Sequence, residues 1–462
     1  MSDERDQAGG RTTSTASAVE ASTIGAEPVA PGPRHPDGRS RTPRAVRPFR
    51  HREYRLLVAS GSASLLADGL WLVALVWQVI GTGGSPSDLS AVAAATSLGL
   101  VMAVLMGGVA ADRFPKRAVL IGVEVVRTAV PVLTGVLALA GGLQLWQLAT
   151  LAFVVGAAGG FYYPTWSAVV PVLLPADELL AANGIEGMLR PLAQQAAGPA
   201  LAGLLVASFS PQVALLGAGM VYMLALVPLV AMRPVAAPAR EADDGRRSVR
   251  RQLAEGFAYL FRTGWLFATL AFATLYVLVV MGPIEVLLPF AIRDRVGAGP
   301  AALSLVLAAY GVGSAGGALL VASVRLPRRY LTVMLLCWGL GALPLAAFGL
   351  STLLWVMVVA SLVVGITDAA AMVIWGTLLQ RRVPAHLLGR VSSLDFFVSL
   401  ALMPVSMALA GPVGEYIGIP TTFVVAALVP PVLAVVALLA WRLPRDEVAH
   451  PLDRAPGEAR AP

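Results

Sequence analysis

Leu56-Leu-Val-Ala-Ser60-Gly-Ser-Ala-Ser64-Leu-Leu-Ala-Asp68-Gly-Leu-Trp71-Leu-Val-Ala-Leu-Val-Trp-Gln78-Val-Ile80 carries a single charge, Asp68. A run of this kind has the length of a helix that crosses a lipid bilayer, for which about 20 apolar residues suffice. It is the first of many. Apolar runs follow at about 89–111, 118–140, 147–171, 179–207, 212–232, 265–290, 301–324, 331–349, 353–379, 388–412 and 421–441, which makes twelve expected spans. Strands are excluded because they would alternate polar and apolar residues at period two. The whole composition agrees: 57% of the 462 residues are hydrophobic and 13% charged, too few charges to cover the surface of a soluble protein of this length.

The remaining charges orient the chain. The net +7 comes almost entirely from arginine in short clusters between the apolar runs, a topogenic pattern rather than a nucleic-acid surface. Arg113, Lys116 and Arg117, then Arg233 to Arg262, then Arg325, Arg328 and Arg329, then Arg381 and Arg382 follow even-numbered spans, while Arg293 and Arg295 stand on the other side. Both termini are therefore expected in the cytoplasm. Residues 1–48 and 443–462 read as disordered tails, and the first lacks the apolar core of a secretory signal. Residues 49–232 and 264–442 form the expected six-helix halves. The linker, 233–263, ends in Val249, Leu253, Phe257, Leu260 and Phe261 at helical spacing, either an amphipathic helix on the inner membrane surface or a solvated linker helix. The single cysteine, Cys337, leaves no intrachain disulfide and no thiolate cluster, and the sequence points to no metal and no cofactor.

The halves resemble each other. At an offset of 209, Gly156 matches Gly365, Trp166 matches Trp375, Pro175-Ala176 matches Pro384-Ala385, and Glu186 matches Asp395. At 212, Arg113-Phe-Pro-Lys116-Arg117 matches Arg325-Leu-Pro-Arg-Arg329. Duplication is the simpler account, and six crossings per copy make the repeats parallel, the arrangement in which two bundles rock about a central site.

The loop Gly108-Val-Ala-Ala-Asp112-Arg113-Phe-Pro-Lys116-Arg117 is similar to the signature loop of the major facilitator superfamily, with Ala110 and Pro115 in place of a leucine and a glycine. Gly198-Pro199-Ala-Leu-Ala202-Gly203 resembles the Gly-Pro motif of that family's proton-coupled exporters. Phe161-Tyr-Tyr-Pro164, Leu179-Leu-Ala-Ala-Asn183 and Gly389-Arg390-Val-Ser-Ser-Leu394 resemble its macrolide-efflux and enterobactin-export branch. The resemblance implies an all-α membrane protein of the major facilitator fold, with twelve transmembrane helices in two parallel repeats, acting as an exporter. An inner latch between Asp112 and the bases Arg113, Arg117 or Arg390 is one reading of the loop; bases that only fix topology are the other.

Charges at membrane depth are costly, roughly 2.5–3.5 kcal/mol each on insertion scales, so those present need partners or a wet cavity. Asp68 has no basic neighbour on its own helix and shares a polar face with Ser60, Ser64, Trp71 and Gln78. It is the first candidate for a proton or cationic-substrate site, against a carboxyl hydrogen-bonded structurally to another helix. Glu186 and Arg190, four apart and on the face of Asn183 and Gln194, form either a switchable or a self-neutralised pair. Glu124 and Arg127 invite the same analysis, but third helices are peripheral in the resembling fold, which favours a structural pair. Asp368 and Asp395 are further coupling candidates, and Glu285 follows Pro283 toward the outer end of its span. Trp166 and Trp375 pair either as an aromatic cavity wall or as packing.

Together these readings give a multi-pass transporter of the plasma (inner) membrane. It is expected to exchange protons for a small, largely apolar compound such as a drug, macrolide or siderophore, with membrane lipids around it and neither nucleic acid nor an obligate protein partner implied. No Gly-x-x-x-x-Gly-Lys loop is present to bind a nucleotide. A proton-coupled importer, a membrane-embedded lipid enzyme and a transport-dead sensor are the competing readings.

Overall fold

The computed structural model describes residues 44–175, 178–234, 257–324 and 326–452, and every regular element among them is a helix. The helices are α1 (Arg52–Gly81), α2 (Pro86–Arg113), α3 (Lys116–Leu139), α4 (Leu145–Leu173), α5 (Leu179–Leu189), α6 (Gly198–Ser208) and α7 (Pro211–Ala231) in the first half. The second half holds α8 (Gly264–Gly282), α9 (Leu288–Ala291), α10 (Pro300–Ser323), α11 (Tyr330–Gly341), α12 (Ala346–Leu350), α13 (Leu354–Arg382), α14 (Ala385–Leu400), α15 (Met403–Ile417), α16 (Ile419–Ala440) and α17 (Leu443–Ala449).

Among the described residues, 11 helical stretches are long and apolar enough to cross a membrane. They coincide with eleven of the expected spans. The expected span 179–207 differs: α5 passes into a π-helical segment, Arg190–Ala197, and then into α6. Its middle carries Arg190, Pro191, Gln194 and Gln195. The prolines at 191 and 199 have no N–H to give the α-helical ladder, and the backbone widens between them. A second π-helical segment, Pro283–Leu287, follows Gly282-Pro283 in the same way.

Local chemistry sets the helix ends. Ser85 and Asp88 form a reciprocal cap at the start of α2: Ser85 N–H donates to Asp88 Oδ2 at 2.8 Å, and Asp88 N–H donates to Ser85 Oγ at 3.2 Å. Ser210 caps α7 through Val213 N–H at 3.3 Å. Arg117 donates to the terminal carbonyls of α7, Leu229 at 2.9 Å and Val230 at 2.7 Å, tying the loop after α2 to the end of that helix.

Packing repeats between the halves. In the first, α2 lies on α4 and α1 and α3 lie on α7; in the second, α10 lies on α13 and α8 and α11 lie on α16. Gly156 and Gly365 explain why their positions match at the offset of 209: a β-carbon on either would run into a backbone carbonyl of the crossing helix, that of Thr96 or Tyr310. The outer face is apolar. Met220, Leu224 and Val227, one stripe of α7, are 61%, 59% and 63% exposed, as expected of a surface that meets lipid rather than water.

The halves join mainly at the end that carries the 82–85 turn, where α2 lies on α15 and α6 on α10. Glu415 of α15 accepts from Ser87 N–H at 2.9 Å and Ser87 Oγ at 2.7 Å, and the Gly411 N–H donates to the buried Ser90 Oγ at 2.6 Å. A carboxylate of one half thus caps a helix N-terminus of the other. A β-carbon at Gly411 would overlap the backbone of Pro86 and Ser87. Gly411→Val is therefore expected to hold this end apart and stop turnover. Widened distances between spin labels on α2 and α15, with flux lost, is the result that checks it.

Two expectations about the tails are corrected. Arg44–Arg50 forms a 3-10 helix, and Leu443–Ala449, expected as tail, is helical. Glu447 is fully buried because it caps α11, accepting from Leu331 N–H at 2.8 Å, Thr332 N–H at 3.1 Å and Thr332 Oγ1 at 2.6 Å. The amphipathic helix expected over 249–261 lies outside the described residues up to 256; a helical turn at 257–262 buries Leu260 and leaves Phe261 exposed.

Candidate functional site

Asp68 sits in the middle of α1, and helix packing brings it partners that its own helix lacks. Tyr222 of α7 donates to Asp68 Oδ1 at 2.5 Å, Gln194 Nε2 donates to Oδ2 at 3.3 Å, and Arg127 NH1 of α3 stands 3.4 Å from Oδ1. The same guanidinium nitrogen donates to Ser64 Oγ at 3.2 Å, and that hydroxyl donates to Glu124 Oε1 at 2.7 Å. Tyr162 of α4 closes the group, with the guanidinium 4.8 Å from its ring centre. Glu124 is 0% exposed and Arg127 3%.

Asp68 takes its base from another helix. One expectation falls here: the pair on the third helix is not peripheral, since α3 packs against α4 and α7 and delivers Arg127 to the interior. The cluster holds two carboxylates and one guanidinium, formally one negative charge. Glu124 Oε2 and Arg127 Nε have no hydrogen-bond partner among the described residues, so the cluster is not saturated.

The Asp68 edge of this cluster opens on a cavity of about 430 Å3 between the two halves. Its walls include Trp71, Leu75 and Pro199 from the first half and Met281, Leu288 and Met407 from the second, with Asp68, Arg127 and Glu285 as its charged groups. Asp68, Trp71 and Pro199 were legible as candidates; Arg127 and Glu285 were not assigned to the site. Gln78, Trp166, Asn183, Asp368, Asp395 and Trp375 do not line it.

Each of those has its own place. Asp368 sits behind the cavity wall, accepting from Tyr310 at 2.9 Å and Trp338 Nε1 at 3.0 Å. Trp375 Nε1 donates to Asp395 at 3.1 Å and packs edge-on to Trp265, while Trp166 stacks on Tyr162. The repeat-mate tryptophans therefore form no common wall; each packs within its own half. Gln78 is buried, and Asn183 is exposed on α5. Arg190 stands 3.6 Å from Glu186 and 4.8 Å from the ring centre of Tyr163, both at the half-exposed end of the π-helical segment.

Of the helix-5 motif, Gly198 abuts the α1 backbone at Leu66 and Gly69, and Gly203 abuts Ser304 of α10. Pro199 reaches the cavity. The motif thus supplies the close crossings on both sides of a helix shared between the halves. In the loop after α2, Gly108 faces open space, Arg113 is exposed and Lys116 is buried. The expected latch partners Asp112 and Arg390 lie outside the residues whose side chains are described.

Residues 44–459 match the family described as transmembrane secretion effector. The chain belongs to that family. The multidrug efflux pump Tap of Mycolicibacterium fortuitum is 28% identical over 391 residues, covering 83% of this chain and 94% of its own. Macrolide efflux protein A of Streptococcus pyogenes is 25% identical over 374 residues, covering 78% and 89%. Among solved structures, the nucleoside transporter NupG superposes with a TM-score of 0.64 at 12% identity, covering 85% of this chain and 99% of that one. A bacterial homologue of the lysosomal transporter Spinster, in an inward-facing and unoccupied conformation, gives 0.62 at 14% identity, covering 88% and 99%. The fold is that of major facilitator transporters, and the macrolide-efflux branch read from the sequence is borne out. The protein is a multi-pass membrane protein, and the relatives it matches are a multidrug efflux pump and a macrolide efflux protein.

Proposed function

We propose that this protein is a proton-driven exporter of small, largely apolar organic compounds, working by alternating access in the plasma (inner) membrane. In this reading the segment 179–208 is a twelfth span, both termini are cytoplasmic, and the halves 49–232 and 264–442 are parallel repeats that rock about the cavity. The observation that carries the proton coupling is the buried cluster of Asp68, Glu124 and Arg127, formally one negative charge with its Asp68 edge on the cavity.

A proton on Asp68 removes the charge that holds Arg127 on that side and leaves the guanidinium to Glu124. Deprotonation returns it. Such an exchange gives two arrangements of the helices α1, α3 and α7 that differ by one proton, which is what coupling requires. Substrate enters from the cytoplasm, where Asn183, Gly184 and Gly187 of α5 are exposed, while the Ser87–Glu415 and Ser90–Gly411 contacts keep the opposite end shut.

Glu415→Ala removes the carboxylate across that closed end. Its expected effect is a several-fold larger outward-open population, read by labelling of a cysteine placed on the cavity side of α10. The function itself is tested in proteoliposomes with an imposed pH gradient. Drug movement out against its own gradient, abolished by an uncoupler, supports export; movement with the protons indicates import.

A further inference from the structure

The cavity's polar groups divide into those already engaged and those left open. Asp68 is held by Tyr222, Gln194 and Arg127, and Arg127 by Asp68 and Ser64. Tyr310 gives its hydroxyl to Asp368, Ser361 to the Val306 carbonyl, and Thr96 and Ser97 to carbonyls of their own helix. Apart from Arg127 Nε, the donors named here are spent inside the protein.

Two acceptors are not. Glu285 lines the cavity from the second half, and among the described residues no hydrogen bond or ion pair reaches its carboxylate. Gln195 lines it from the first half, and its buried side-chain oxygen likewise has no partner. Leaving a buried acceptor unmade is costly, and an unpaired carboxylate more so.

Both residues sit on π-helical turns, Gln195 in Arg190–Ala197 and Glu285 in Pro283–Leu287. Such turns occur often at functional sites, because the extra residue turns a side chain out of the regular helical face. The second is firmly held: Gly282 N–H donates to Ser406 Oγ at 2.8 Å, and that hydroxyl donates to the Leu278 carbonyl at 2.7 Å. Around the two acceptors the wall is apolar, from Trp71 and Leu75 to Met281 and Met403, suited to the body of a hydrophobic compound.

We propose that Glu285, assisted by the Gln195 side-chain carbonyl, is the recognition point for a protonated amine on an otherwise apolar substrate. An ammonium supplies what these two acceptors lack, a positive charge and N–H donors beside them. The inference rests on the transport reading above and sharpens it: the group that takes the proton, Asp68, and the group that takes the cationic end of the substrate belong to opposite halves. Selectivity for charge then resides in the second half, and a neutral analogue of the same shape loses the ionic contact while keeping the apolar wall.

Dansylcadaverine, a fluorescent primary ammonium, and its neutral N-acetyl derivative are suitable probes, titrated into the full-length protein in lipid nanodiscs without a gradient. The wild type is expected to bind the cation about tenfold or more tightly than the neutral form. Glu285→Gln should remove that preference and leave the neutral probe within about twofold of wild type. Glu285→Asp should retain part of the preference, and Gln195→Leu should weaken the cation by a few-fold. Equal affinity of the wild type for both probes, or a preference that survives Glu285→Gln in protein of unchanged melting temperature, overturns the assignment. The transport reading is scored separately: proton-driven efflux of the neutral probe by Glu285→Gln would sustain it even if the ammonium site failed.

Discussion

Asp68→Asn is expected to reduce proton-driven efflux to the background of protein-free vesicles. The substitution is close to isosteric: the amide oxygen still accepts from Tyr222, whose hydroxyl stands 2.5 Å from the Asp68 carboxylate. What it removes is the carboxylate charge, so Arg127 is left with Glu124 in every state and the exchange between two arrangements is gone. Binding and downhill exchange of substrate depend on the cavity wall and should persist. The check is paired: efflux under an imposed pH gradient, and counterflow without one. Loss of the first with retention of the second identifies a coupling residue. Undiminished efflux under the gradient would sink the assignment, and loss of both in misfolded protein is separated by the melting temperature.

Arg127→Gln carries the largest expected loss of stability. Arg127 is 3% exposed and is the base shared by Asp68 and, through Ser64, Glu124. Removing one partner of a buried charge group leaves the others uncompensated, which costs about 3–5 kcal/mol in comparable cases. The two carboxylates would then face each other across Ser64 in a medium of low dielectric. The same reasoning predicts a rescue. Glu124→Gln in the Arg127→Gln background removes one of the two charges and keeps an oxygen to accept from Ser64, so part of the lost stability should return. Thermal unfolding of the wild type, single variants and double variant in one detergent measures the coupling, and additive losses would show that the three groups do not act as one cluster.

The chemistry of the cavity also divides the membrane-depth charges by task. Glu124, Arg127 and Asp68 form one cluster, Asp368 and Asp395 are bound to tyrosine, tryptophan and serine donors within the second half, and among the described residues Glu285 alone of these charges faces the cavity without a partner. Glu186 and Arg190 face each other at the half-exposed junction of α5 and the π-helical segment.

Much of this protein was legible in one dimension. The apolar runs give the spans, because a bilayer leaves the backbone no partner but its own helix, and that constraint acts residue by residue along the chain. The recurrence of Gly156 at Gly365 marks a helix crossing in each half. Asp68 and Trp71 could be placed at the site from their depth and shared face on one helix.

The tertiary structure decided which charges meet. Gln194 and Tyr222 reach Asp68 from 126 and 154 positions away, and Arg127 arrives from a helix expected to be peripheral. Helical spacing orders side chains only along their own helix. Between helices, contact is set by how closely backbones approach, as where Gly198 lets the start of α6 lie against α1, and by the widened π-helical turns that aim Gln195 and Glu285 into the cavity. Those distances are properties of packing in three dimensions, so the list of charged residues and the Glu186–Arg190 pair within one helix came from the sequence, and the pairing between helices came only from the fold.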